Sequence, residues 1–170
     1  IFGVLWSKLA INCVVTTLGA VTGQLLGEIL QRAIARRLAL SIVSEVVDVA
    51  KAQSINLESV GGTLDLQRLY LPPERRAGDF GLDLIPRHGL ILVVGLKFCK
   101  FNSSMLQSLE RGRRPEIDFM NGYVVTRGAE RGVPTPINAA LTRMVNEIEA
   151  GQREMSPSNL DGLLGQAAGR

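Results

Sequence analysis

The chain has 170 residues, 46% hydrophobic and 21% charged. That balance fits one globular domain with a substantial core and excludes disordered and collagen-like classes. The net charge of +3 is scattered along the chain and aromatics make up only 5%, which argues against base-stacking platforms and ranks nucleic-acid binding last. Attraction to an anionic small molecule explains the same mild bias.

Cys13 and Cys99 lie in apolar runs without metal-ligand or redox spacing. A single histidine, His88, argues against a histidine metal site. The apolar stretches 9–21 and 90–96 fall short of the ~20 uninterrupted residues that cross a bilayer, so no membrane contact is expected. The first also lacks the basic flank of a signal peptide. The chain starts at Ile1 without a methionine and reads as a fragment or the distal part of a longer polypeptide.

Residues 4–18 read as an apolar core helix. Its polar members Lys8, Asn12 and Thr16 recur every four residues and so form one stripe. Such a seam on an apolar helix faces a cleft, a partner or buried hydrogen-bond partners. Gly19 and Gly23 bracket a break. A long amphipathic helix follows over 27–52, with Glu45 and Asp48 on its polar side. Gly61 and Gly62 mark a turn, and a short helix over 63–70 is capped by Thr63 and stopped by Pro72 and Pro73. Residues 74–86 have no clear pattern. Residues 87–101 form an apolar run, read as helix over buried strand, and His88 reads as a helix-start or surface residue. A helix over 103–110 ends at Gly112, another runs from Glu116 to about Arg127, and a last one covers 136–149. Residues 1–150 are thus one all-α, bundle-like domain. Residues 151–170 are a tail with at most a short docked turn at 160–164. No strand–glycine loop–helix unit for a dinucleotide is present.

Three pieces carry a resemblance: Leu5-Trp6-Ser7-Lys8-Leu9-Ala10-Ile11-Asn12, then Ser103-Ser104-Met105-Leu106-Gln107, then Pro115-Glu116-Ile117-Asp118-Phe119-Met120-Asn121-Gly122 with Gly132-Val133-Pro134-Thr135-Pro136. In this order they resemble the C-terminal domain of the ketopantoate reductase family, over roughly 4–28 and 102–149. The match is poor over 53–101. The resemblance implies the helical C-terminal fold shared with 6-phosphogluconate dehydrogenase-like proteins, preceded by an N-terminal Rossmann domain that holds NADPH and is absent here.

The resemblance also implies roles. Lys8 matches the catalytic lysine, where an ammonium meets the charge that develops on a carbonyl oxygen. On spacing alone Lys8 reads as a surface lysine. Asn12 matches a substrate-binding asparagine, Ser104 a substrate-binding serine, and Glu116 the active-site acid. Their plain alternatives are a helix contact, an N-cap shared with Ser103, and a first-turn carboxylate. Thr16 and Thr17 stand where the family carries an asparagine and a proline, and Leu26 where it carries another asparagine. Thr16 remains a candidate substrate contact. The implied activity is NADPH-dependent reduction of a 2-keto acid, with ketopantoate as the implied substrate, in a cytoplasmic enzyme without metal. Its partners would be the substrate, its own Rossmann domain and a second copy in a homodimer. The alternatives are a relative with another keto acid or a non-catalytic binding module.

Overall fold

The computed structural model describes residues 2–58, 65–76, 84–97, 99–100 and 102–167. Every regular element among them is helical: α1 (Phe2–Thr22), α2 (Leu26–Ile29), α3 (Ala33–Ala52), α4 (Pro73–Arg76), α5 (Ile85–Lys97), α6 (Ser104–Glu110), α7 (Asn121–Glu130), α8 (Pro136–Glu149) and α9 (Leu163–Ala167). Short 3-10 turns lie at Leu66–Leu69, Ile117–Phe119 and Pro157–Leu160. The all-α expectation holds.

The bundle is organised around α1, which packs on α2, α3, α6 and α8. Its 21 residues are long and apolar enough to span a bilayer, which corrects the expectation of too short a stretch. The burial of Trp6, Ala10, Cys13 and Leu18 inside the bundle makes it a core helix. Gly19, expected to break the helix, lies within it. A Cβ there would meet the Ser103 hydroxyl at 2.8 Å, so the glycine serves the close approach of α6. The chain turns instead at Gly23, with φ +70°.

The single helix expected over 27–52 is two. Arg32 has extended backbone, φ −76° and ψ 128°, and α3 begins after it. Gly27 packs α2 onto the Cys99 backbone, where a Cβ would come within 2.7 Å. The turn also lets Arg32 reach the Pro157 carbonyl and, at 3.0 Å, Asp161. The tail is therefore docked: Leu160 and Leu163 are fully buried, and Asn159 donates to the Val21 carbonyl at 3.1 Å.

Residues 85–97 form helix α5, yet only His88, Ile91 and Gly95 of it are buried, while Ile85, Val93 and Leu96 face solvent. His88 is a core residue rather than a surface one. Its Nδ1 accepts from Arg36 Nε at 3.1 Å, and burial, with the Arg36 and Arg37 charges, pushes its pKa below the ordinary value. Gly61, Gly62 and the Thr63 cap lie outside the described residues. The turn at 66–69 is capped by Asp65, which accepts from the Gln67 amide at 2.9 Å. Pro73 opens α4 instead of only ending what precedes it.

The helix expected from Glu116 is also divided. Ile117–Phe119 is 3-10, and α7 starts at Asn121 after Met120, whose φ −112° and ψ −97° break the run. The cause is Asn121, which is fully buried. Its amide donates to the Cys13 carbonyl at 3.3 Å and to Asn138 at 2.9 Å. Helix α8 covers 136–149 as expected.

Glu45 corrects the reading of α3. It does not face solvent but is completely buried. Its carboxylate accepts from the Ile137 and Asn138 backbone amides, each at 2.9 Å, and from the Asn138 side chain at 2.6 Å. These are the unpaired amides of the α8 N-terminus, a natural anion site. Asp48, one turn on, pairs with Arg76.

Burial pushes the Glu45 carboxyl above its ordinary 4.5, with the Asn138 and Ile137 hydrogen bonds pulling the other way. A folded pKa above the unfolded one means the native state holds the proton longer. Its contribution is therefore complete below the unfolded value and is lost as pH rises through the folded one. Urea unfolding across the acid-to-neutral range should show this slope, and Glu45→Gln should flatten it. Glu45→Ala strands two buried amides and should cost about 3 kcal/mol at neutral pH.

Candidate functional site

The four-residue spacing on α1 does produce one stripe, but its ends differ. Lys8 and Asn12 are exposed, whereas Thr16 is buried. The Thr16 hydroxyl donates back to the Asn12 carbonyl at 2.7 Å and lies 3.4 Å from the Met120 sulfur. Met120 thus closes the stripe at its C-terminal end. Thr17, on the adjoining face, donates to the Asn121 side-chain oxygen at 2.6 Å.

The two serines divide their work. Ser103 is buried and caps α6, accepting from the Leu106 amide at 2.9 Å. Ser104 is the first residue of α6 and is exposed, so its hydroxyl is left to other uses. Ser103 lies against Gly19 of α1, which brings the start of α6 to the same end of the helix as Thr16. Glu116 is exposed beside the buried Pro115, and its carbonyl accepts from Phe119 at 3.1 Å. It lies four residues before Met120, on the segment that covers Thr16. Asp118 points to Arg114, 3.2 Å away.

Asn12 and Thr16 thus follow Lys8 along α1, while Ser104 adjoins the Ser103 that touches Gly19 and Glu116 lies four residues from the Met120 that touches Thr16. Lys8 and Glu116 form no ion pair among the described residues. Trp6 and Tyr123 hold α7 beside the earlier half, with ring centroids 6.0 Å apart. Sequence reasoning did not assign the chain of hydrogen bonds from Thr17 through Asn121 and Asn138 to Glu45. An isolated Glu in the valine- and alanine-rich face of α3 was the one available signal for it.

Two concavities border these elements. An open groove of about 710 Å³ between α7 and α8 is lined by Asp118, Thr126 and Arg143, and contains none of the candidate residues. A cavity of about 60 Å³ lies between α1, α3 and α5, and its lining is apolar. Among the described residues no three His, Cys, Asp or Glu side chains cluster as a metal would need. The described helices also contain no strand-to-helix cradle for a dinucleotide phosphate.

Residues 1–149 match the family described as ketopantoate reductase PanE/ApbA C terminal. A 2-dehydropantoate 2-reductase of Vibrio cholerae is 28% identical over 145 residues, which cover 85% of this chain and 40% of that protein. The crystal structure of a PanE/ApbA family ketopantoate reductase from Ralstonia eutropha superposes with a TM-score of 0.68 at 27% identity, covering 91% of this chain and 43% of that one. D-mandelate dehydrogenase in complex with NADH shares the fold, with a TM-score of 0.66 at 21% identity over 90% of this chain and 44% of its own. The chain thus spans less than half the length of each of these three relatives.

The contact of Gly19 with Ser103 sets how closely α6 approaches the stripe. Gly19→Ala should cost about 2 kcal/mol by overpacking, and Ser103→Ala about 1 kcal/mol by loss of the cap. A Cβ at position 19 would strike both Oγ and Cβ of Ser103, at 2.8 and 2.9 Å; Ser103→Ala removes only the first, so the double variant should be a little less destabilised than the sum. Urea denaturation of the four proteins measures that coupling.

Proposed function

The chain belongs to the ketopantoate reductase family, as its C-terminal domain, and from that premise we propose that it is the substrate-binding half of an NADPH-dependent 2-keto acid reductase. Ketopantoate is the substrate and pantoate the product that the family points to, in the route to pantothenate. The observation that carries the reading is Lys8 with Asn12 one turn on, both open to solvent on a helix whose opposite side is core.

In this reading the preceding Rossmann domain holds NADPH, whose nicotinamide supplies a hydride to the keto carbon and is itself oxidised. This chain supplies the rest. Lys8 Nζ meets the negative charge that develops on the carbonyl oxygen and delivers the proton that completes the alcohol. Asn12 orients the carbonyl, and the exposed Ser104 hydroxyl donates to the substrate carboxylate without adding charge. Glu116 holds the ammonium or a substrate hydroxyl once the cleft is occupied. Thr16 reaches substrate only if Met120 moves aside.

Exposed apolar residues support a domain lying over this face. Leu5 is on the same stripe as Lys8, and Phe119 adjoins Met120; they are 54% and 82% exposed. Apolar surface beside a polar seam is what a partner covers, and sites between domains are common. The reading carries with it a cytoplasmic location, which suits free Cys13 and Cys99. The same exposed residues support a second reading, a helical association module without catalysis. It predicts a concentration-dependent mass by light scattering and no turnover.

In the complete natural chain, Lys8→Ala should lower kcat for ketopantoate by roughly 10²–10⁴-fold and leave the Kd for NADPH near wild type. Turnover unaffected by the change would remove Lys8 as the acid. Glu116→Ala should raise KM or lower kcat, and an unaltered profile would leave it a plain helix-start carboxylate.

A further inference from the structure

We infer that the site accepts 2-keto acids with a hydrocarbon side chain, seated in the apolar cavity beside Lys8 and Asn12. The inference rests on the catalytic reading of Lys8 given above. The cavity, of about 60 Å³, has buried Val43 and Leu69 in its floor and half-exposed Ile11, Val15, Leu90 and Val94 at its rim. It therefore opens along the edge where α1 meets α5. Its volume is several times the roughly 10–15 Å³ that one water requires, which leaves room for a small branched alkyl group.

Its position links it to the chemistry. Ile11 follows Lys8 by three residues and Val15 follows Asn12 by three. Helical neighbours at that spacing have Cβ atoms roughly 5–6 Å apart, so the mouth borders the stripe that carries the ammonium. A keto acid with its carbonyl oxygen at Lys8 and its side chain turned toward α5 would bring its C3 substituents to this rim. The lining offers no polar side chain among the described residues. A hydroxyl placed there would leave water without gaining a partner, whereas a methyl group would gain contacts. One wall comes from α5 and the 66–69 turn, which face Ile11 and Val15 of α1 across the cavity.

The test uses the complete natural chain and follows NADPH oxidation. Ketopantoate is compared with its deoxy analogue 3,3-dimethyl-2-oxobutanoate, with 4-methyl-2-oxopentanoate and with pyruvate. The two hydrocarbon acids should give kcat/KM at least equal to that of ketopantoate. Val94→Trp, which fills the mouth, should lower kcat/KM for 4-methyl-2-oxopentanoate roughly tenfold more than for pyruvate. Ketopantoate favoured about 100-fold over its deoxy analogue, or a Val94→Trp effect equal for all acids, would overturn the inference and leave the reductase reading standing. The wild-type panel decides even where the tryptophan variant fails to fold. No turnover of any of these acids, by a chain shown to bind NADPH, would instead overturn the catalytic reading and the inference with it.

Discussion

Glu45 places a carboxylate where no solvent reaches it, at the open N-terminus of α8. Its two oxygens take the amides that the helix cannot pair for itself, and the positive end of the helix dipole favours the charge there. The constraint spreads outward from this contact. Asn138, held by Glu45, offers its side-chain oxygen to Asn121. Asn121 in turn grips the Cys13 carbonyl and accepts from Thr17. One chain of polar contacts thus joins α3, α8, α7 and α1. A buried network of this kind tolerates no half-made bonds, because each orphaned group would carry its full desolvation cost. It fixes register as well as proximity, and the backbone break at Met120 is how Asn121 comes to reach its place.

The same network determines what α1 presents to solvent. Cys13 and Thr17 are tied on one side of the helix, so α1 cannot rotate about its axis without breaking buried hydrogen bonds. Lys8 and Asn12 lie roughly opposite, by the helical repeat of 3.6 residues per turn. Their direction is consequently set by residues that never touch them. At the far end, the glycine at position 19 lets α6 close in, and Ser103 spends its hydroxyl on the cap, which leaves Ser104 outward. Lys8, Asn12, Thr16 and Ser104 are carried by helices, as a positioned site favours, and Glu116 by the turn that precedes Ile117–Phe119.

Periodicity and capping chemistry were enough to read α8 and the centre of α1, because apolar spacing and a proline at the first turn act locally. They were not enough where a distant contact decides. The breaks at Arg32 and Met120 have no proline or glycine to announce them; they exist because Arg32 reaches the tail and Asn121 reaches the core. Gly19 carried a breaker's signature but serves close packing, a use that depends on Ser103 more than eighty residues later. Sequence alone points Glu45 and His88 outward, because charged and titratable groups usually face solvent. Burial of Glu45 depends on amides of a helix whose placement periodicity does not give. The stripe of Lys8, Asn12 and Thr16 was readable as a stripe; that Met120 covers its last member was not, since nothing local to α1 says so.

That covering gives the departures from the family pattern a common sense. The resemblance puts an asparagine where Thr16 stands, with reach enough to hydrogen-bond a substrate from the stripe. The shorter threonine turns its hydroxyl back to the Asn12 carbonyl and lies under Met120, so polar readout at this turn is surrendered. Beside the same stripe, on the next face of α1, Ile11 and Val15 border a cavity that α5 and the 66–69 turn wall off with leucine, isoleucine and valine. A helix has only so much surface near one catalytic group. When the polar third of that surface is closed and the adjacent apolar third is opened, the contrast a substrate meets shifts from hydrogen bonding to shape and hydrocarbon contact. On the proposed reading Lys8 would need no change for this, because its ammonium would act on the carbonyl oxygen common to every 2-keto acid. On that reading chemistry and selectivity would part company on a single helix, the first set by a residue at the stripe's open end and the second by which of its flanks is left uncovered.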